Sequence, residues 1–177
     1  MRGLQRLLDI VADVLLTVSC VAVVAMMLQV TADAVLRTFL HWSVPGTEEM
    51  VSAYYMVAVA FLPLAFVQRE RGHVMIELFT MRLSPRTNAL IDSIVFTVCG
   101  IGLAIFTYAA LRKAMVMTED AEILIGTIDV TVWPSRWFVP VGCGAMALYM
   151  WLHAIQDFTW ALRGGPRELH TSHAPLD

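Results

Sequence analysis

The chain has 177 residues, 58% of them hydrophobic and only 15% charged, with a formal net charge of -3. That balance excludes an ordinary soluble domain, and the scattered basic residues exclude a nucleic-acid surface or a polybasic lipid-binding tail. Cys20, Cys99 and Cys143 each lie inside an apolar run and form no CxxC or Cys/His cluster, so nothing points to a disulfide framework or a thiolate metal site.

The first apolar run follows Arg2 and Arg6 and continues through Met26, Met27, Leu28 and Val30, with no Ala-x-Ala pattern inside it. We therefore read it as a retained span over about residues 10–30 and not as a cleaved leader. Its helix is expected to continue past the lipid. Gln29, Asp33, Arg37 and His41 recur every four residues opposite Val35, Leu36, Phe39 and Leu40, and Asp33 precedes Arg37 by four, the favourable order for a helical ion pair. This polar stripe reads either as a water-facing helix end or as a docking face for another subunit.

Pro45-Gly46 breaks that helix, Thr47 is placed to cap the next, and Glu48 and Glu49 occupy a first turn where negative charge suits the helix dipole. Span two covers about residues 50–67, ends at Gln68-Arg69-Glu70-Arg71, and carries Pro63, which removes one backbone hydrogen bond and predicts a kink near the Arg69 side. From His73 to Leu83 the pattern turns amphipathic over a stretch too short to span, which predicts a segment lying on the membrane surface or against a partner.

Ser84-Pro85 opens the third helix, whose span covers about residues 89–111 and whose Ser93, Thr97, Gly100, Ala104 and Thr107 form a seam of small residues suited to close helix packing. Arg112 and Lys113 are read as its end, with a loop from Met115 to Val132. The fourth span, about residues 137–155, enters at Trp133-Pro134. It carries aromatic residues at both ends (Trp133 and Trp137; Tyr149, Trp151 and Trp160) that read as interfacial anchors. Gly164-Gly165-Pro166 stops it, and residues 164–177 read as a loose tail.

The fold class that follows is an all-α integral membrane protein: a four-helix transmembrane domain over residues 1–163, with a short amphipathic cytoplasmic segment between spans two and three. Placing both termini in the cytoplasm puts eight basic residues inside (Arg2, Arg6, Arg69, Arg71, Arg82, Arg86, Arg163, Arg167) and four outside (Arg37, Arg112, Lys113, Arg136), as the positive-inside rule asks.

A pump or ion-coupled carrier shows ionisable groups near the bilayer midplane. Here Asp13 and Asp92 are the acids within spans, both toward the cytoplasmic side, where Arg6 or Arg86 is placed to snorkel to them. The alternative class is the membrane anchor of a haem-binding redox complex, which needs two histidines at matching depth. His41 and His73 lie at water borders, His170 and His173 in the tail, and His153 alone within a span. His73 and Glu77, four apart, supply two ligands and do not close a metal site. No catalytic, cofactor or metal residues are assigned.

With these elements placed, the chain resembles the small, four-span membrane subunit of tripartite ATP-independent periplasmic (TRAP) transporters from about Leu7 to Asp157. The residues that carry the resemblance are Arg37 after span one, Gly46-x-x-Glu49 before span two, Arg69-Glu70-x-x-His73-Val74-x-Ile76-Glu77-Leu78 after it, and the Trp133-Pro134 to Pro140-x-Gly142 entry into span four. Glu77 stands where the family more often has Asp, which keeps charge and position. The resemblance implies an inner-membrane scaffold subunit that holds no substrate. It would join a large many-spanned membrane subunit that carries an organic acid-type solute with sodium, fed by a periplasmic binding protein. The subunit-interface candidates are Arg37, Glu49, His73, Glu77, Gly100 and Trp133.

Overall fold

The structure is a computed structural model that describes residues 2–42, 44–70, 85–120, 123–124 and 129–163. Four of its helices are long and apolar enough to cross a membrane, in the order and number expected. The segment from His73 to Leu83 and the tail lie outside the described residues.

Span one is one unbroken helix, Arg2–Phe39, of 38 residues, about 57 Å at 1.5 Å per residue and so far longer than a hydrocarbon core of about 30 Å. With no Pro or Gly between Leu4 and Val44, nothing interrupts it. The hydroxyls of Thr17 and Thr38 donate to the carbonyls of Asp13 and Ala34 at 2.8 Å, so these polar side chains sit satisfied on an apolar helix. The polar stripe stops one turn earlier than the spacing suggests. The helix ends at Phe39, and His41 takes a left-handed backbone with φ of 54°.

Span two runs from Thr47 to Arg69 as a chain of short helical pieces. Gly46, and not Thr47, occupies the capping position, at φ of 85°, a region glycine enters without steric cost. Thr47 is the first helical residue, and its hydroxyl donates to the Val44 carbonyl at 3.2 Å. A π-helical turn, Val51–Tyr55, leads into Met56–Phe61; the chain then breaks at Leu62-Pro63 and resumes as Leu64–Arg69. The break falls at the expected proline, which has no N–H to offer the Val59 carbonyl.

Span three belongs to a helix, Pro85–Glu119, that begins at the expected proline but passes Arg112 and Lys113 and ends eight residues later than Leu111. Met115 to Glu119 are thus helical and not loop. Beyond them, Ile123–Leu124 pairs antiparallel with Val130–Thr131, a small two-stranded element not anticipated in the loop. Span four follows a single 3₁₀ turn, Ser135–Trp137, and runs as Phe138–Arg163 up to the glycine pair.

The helices pack in the spatial order one, two, four, three, with the most extensive contact between three and four and no extended contact between one and three. Span four is the centre: 56% of its apolar window is buried, against 11% for spans one and three. Glycines permit this. A β-carbon at Gly142 would overlap the backbone carbonyl of Phe61, and one at Gly100 would lie 2.5 Å from the Trp151 indole. The small-residue seam of span three therefore faces span four, where the Ser93 hydroxyl also donates to the Ala154 carbonyl at 3.0 Å. On span two, Ala58, Leu62, Ala65 and Gln68 form the buried face. Ala65 joins Leu8, Ala12, Ala145 and Tyr149 in a cluster where spans one, two and four meet.

Candidate functional site

The ionisable and hydrogen-bonding groups gather at the two ends of the bundle. At the end marked by Arg69, the guanidinium Nη1 lies 2.7 Å from Asp13 Oδ1 and Nε lies 3.3 Å from Glu70 Oε1, while its central carbon stands 4.5 Å above the Phe66 ring. The sequence offers Arg6 or Arg86 to Asp13 and Asp92, and at Asp13 the structure has Arg69 instead. Arg69 takes that place because the antiparallel packing of spans one and two brings the last turn of one beside an early turn of the other.

One turn before Asp13, Asp9 accepts a hydrogen bond of 2.8 Å from the Tyr149 hydroxyl. Tyr149 is 4% exposed and belongs to the core, which corrects its reading as an interfacial anchor. His153, one turn on, is also buried. It meets Phe96 edge-on at a ring separation of 5.8 Å and Tyr149 at 6.3 Å. Gln5, Asp9, Arg69, Tyr149, Leu152, His153 and Gln156 line a cavity of about 270 Å³ here. This cluster was missed in the sequence, where Asp9 and Tyr149 stand 140 positions apart. The nearest signal was the pair of acids, Asp9 and Asp13, four apart at the start of an apolar run.

At the opposite end, Asp33 is 8% exposed and holds two partners: Arg37 Nη2 at 3.1 Å and the Val44 backbone N–H at 2.7 Å. It thereby locks the turn between spans one and two. About 20 residues of span one separate Asp33 from Asp13, a rise of about 30 Å, which matches a hydrocarbon core. Further along the same end, the Tyr54 hydroxyl donates to the Thr131 carbonyl, the Trp137 indole donates to the Thr118 hydroxyl at 3.2 Å, and the Ser135 hydroxyl donates to the Val132 carbonyl at 2.8 Å.

Of the six interface candidates, Arg37 and Glu49 share the Thr47 end of the molecule. Arg37 is exposed, with Asp33 as its ion-pair partner, and Glu49 is half-buried. Trp133 is half-buried in the turn leading into span four, and Gly100 lies inside the chain against span four. His73 and Glu77 lie outside the described residues. Among the described residues no three His, Cys, Asp or Glu side chains gather as metal ligands, and His41 and His153 sit at opposite ends of the bundle.

No curated protein and no solved structure matches the chain. Residues 26–159 match the family model described as Tripartite ATP-independent periplasmic transporters, DctQ component. That match covers most of the chain and reaches into all four apolar helices, so the protein belongs to the DctQ family: it is a small, multi-pass inner-membrane subunit of a TRAP transporter.

Proposed function

We propose that this subunit is a scaffold. It joins a large many-spanned membrane subunit, which carries an organic acid-type solute driven by a sodium gradient and is supplied by a periplasmic binding protein, and it does not hold the solute itself. The observation that carries this reading is the open arrangement of the bundle. Spans one and three are the outer helices of the bundle, and only 11% of the apolar window of each is buried within the chain, while the ion pairs sit at the two ends of the bundle. Broad apolar flanks suit lipid and a second membrane protein, and among the described residues a polar solute finds no charged group at mid-depth. In this reading both termini are cytoplasmic, Arg37, Glu49 and Trp133 lie on the periplasmic side, and His73 and Glu77 lie on the cytoplasmic side. DctQ is a component of transporters and not an enzyme family, so catalysis is no part of the proposal.

The test is sodium-driven uptake in proteoliposomes holding the large subunit with and without this chain, supplied with the loaded binding protein. Uptake should require the chain, while the chain alone should bind no solute by calorimetry. Full uptake by the large subunit alone, or solute binding to the isolated chain, would overturn the scaffold role. Cysteine labelling from outside should reach substitutions near Thr47 and Asp120 but not near Arg71 or Gly165, and the reverse pattern would invert the topology.

A further inference from the structure

The cavity at the Arg69 end has a wall unlike the rest of the molecule. Tyr149 and His153, 4% and 8% exposed, form its buried side, and Gln5, Asp9, Gln156 and Arg69 supply polar groups around it. Two features give it a preference for charge. The wall holds one carboxylate, Asp9, and one guanidinium, Arg69, whose Asp13 and Glu70 partners lie outside the wall, so it presents both signs of charge to one ligand. Arg6 is exposed and outside the wall, and Asp157, one turn beyond His153, adds no positive charge.

Three acceptors remain. Asp9 uses Oδ1 for the Tyr149 hydroxyl, which leaves Oδ2, and the side-chain amides of Gln5 and Gln156 make no hydrogen bond among the described residues. Three acceptors around one pocket suit a primary ammonium, which has three N–H donors. Arg69 contributes Nη1 and Nε to Asp13 and Glu70, leaving Nη2 for an anionic oxygen at the rim. At about 30 Å³ per water the cavity has room for about nine waters, and a phosphoethanolamine group has fewer non-hydrogen atoms than that.

We propose that this cavity binds the ethanolamine headgroup of a zwitterionic phospholipid, the ammonium on Asp9 and the phosphate toward Arg69. A lipid is the source, and not a free amine, because the lining residues stand at the ends of apolar spans one, two and four, at the membrane border where phospholipid headgroups lie.

The experiment uses the full-length chain, purified in detergent and delipidated, and reads binding by native mass spectrometry. The probes are short-chain phosphatidylethanolamine, phosphatidylcholine and phosphatidylglycerol, and soluble phosphoethanolamine. Losing a charge-assisted hydrogen bond costs about tenfold or more in affinity. Phosphatidylethanolamine should therefore bind about tenfold tighter than phosphatidylcholine, whose quaternary ammonium has no N–H, and Asp9→Asn should erase that difference. Gln156→Leu, at a half-buried position, should weaken it and keeps the test decisive should Asp9→Asn fail to fold. Equal binding of the ethanolamine and choline lipids, equal binding of phosphatidylglycerol, or an unchanged preference in the variants overturns the site. Binding of phosphoethanolamine as tight as that of the whole lipid overturns the lipid assignment.

Discussion

The Asp13 carboxylate lies 2.7 Å from Arg69 Nη1, an ion pair that fastens the lower part of span one to the last turn of span two. Asp13 is 60% exposed and Arg69 23%, so the pair alone is worth only about 0.2–1 kcal/mol. Arg69 does more than pair, since it also meets Glu70 and covers the Phe66 ring. Asp13→Asn is expected to lower stability by less than about 1 kcal/mol, and Arg69→Gln by about 2 kcal/mol, because the cation–π contact is lost as well. Thermal unfolding in detergent measures both, and equal losses would show that the ring contact contributes nothing.

The glycines of spans three and four give a graded series. Gly102 has open space around it, and Ala there should be neutral or stabilise the helix by up to about 1 kcal/mol. At Gly144 a β-carbon would meet the Thr107 methyl at 3.4 Å, ordinary contact, so Ala should be close to neutral. Gly142→Ala drives a methyl into the Phe61 carbonyl, and backbone cannot turn aside as a side chain does. We expect a loss of about 1–3 kcal/mol, the usual cost of overpacking. Gly100→Leu displaces Trp151 and should also destabilise, without any partner subunit present. Melting temperatures that do not rank in this order would show that span four packs differently against spans two and three.

Much of the fold was legible from the length of the apolar runs, because a membrane core of fixed thickness imposes that length on any helix that crosses it. Pro63 announced its own break, and the spacing of Ser93, Gly100 and Thr107 announced a packing seam. What failed was local charge read as boundary. Arg112 and Lys113 are exposed on a helix that simply carries on past them to Glu119. Asp33 sat in a polar stripe, yet it is buried because the folded-back turn brings the Val44 N–H to it. The cavity was invisible for a different reason. Asp9 with Tyr149 and Asp13 with Arg69 are separated by 140 and 56 positions, and no periodicity in a single chain records which helices become neighbours.

Asp33 and Arg37 should separate stability from assembly. Asp33→Ala strips the Val44 N–H of its acceptor in a place shielded from water, with an expected loss of about 1–3 kcal/mol in the isolated chain. Arg37 is 69% exposed, so Arg37→Ala should change that stability by less than about 1 kcal/mol. If Arg37 and Glu49 dock on the large subunit, each alanine variant should lower the yield of the complex at unchanged stability of the free chain. Unchanged complex yield and uptake in both variants would remove the two residues from the interface.

Gln68 presents the sharpest local conflict in the bundle. It is 0% exposed on the face of span two that also buries Ala58, Leu62 and Ala65, and neither its Nε2 nor its Oε1 has a hydrogen-bond partner among the described residues. A buried amide without partners costs about 1–3 kcal/mol relative to its hydrated state. Methionine has nearly the same length and shape with no such requirement, and it adapts to irregular gaps. Gln68→Met is therefore expected to raise the stability of the purified chain by about 1–3 kcal/mol, while Gln68→Glu, which places a carboxylate in the same dry position, should lower it. Both are read by thermal unfolding of the delipidated protein. A clear loss in Gln68→Met would mean that the amide is hydrogen-bonded in the folded chain, and the face of span two beyond Ala65 would then be a polar contact instead of an unpaired one.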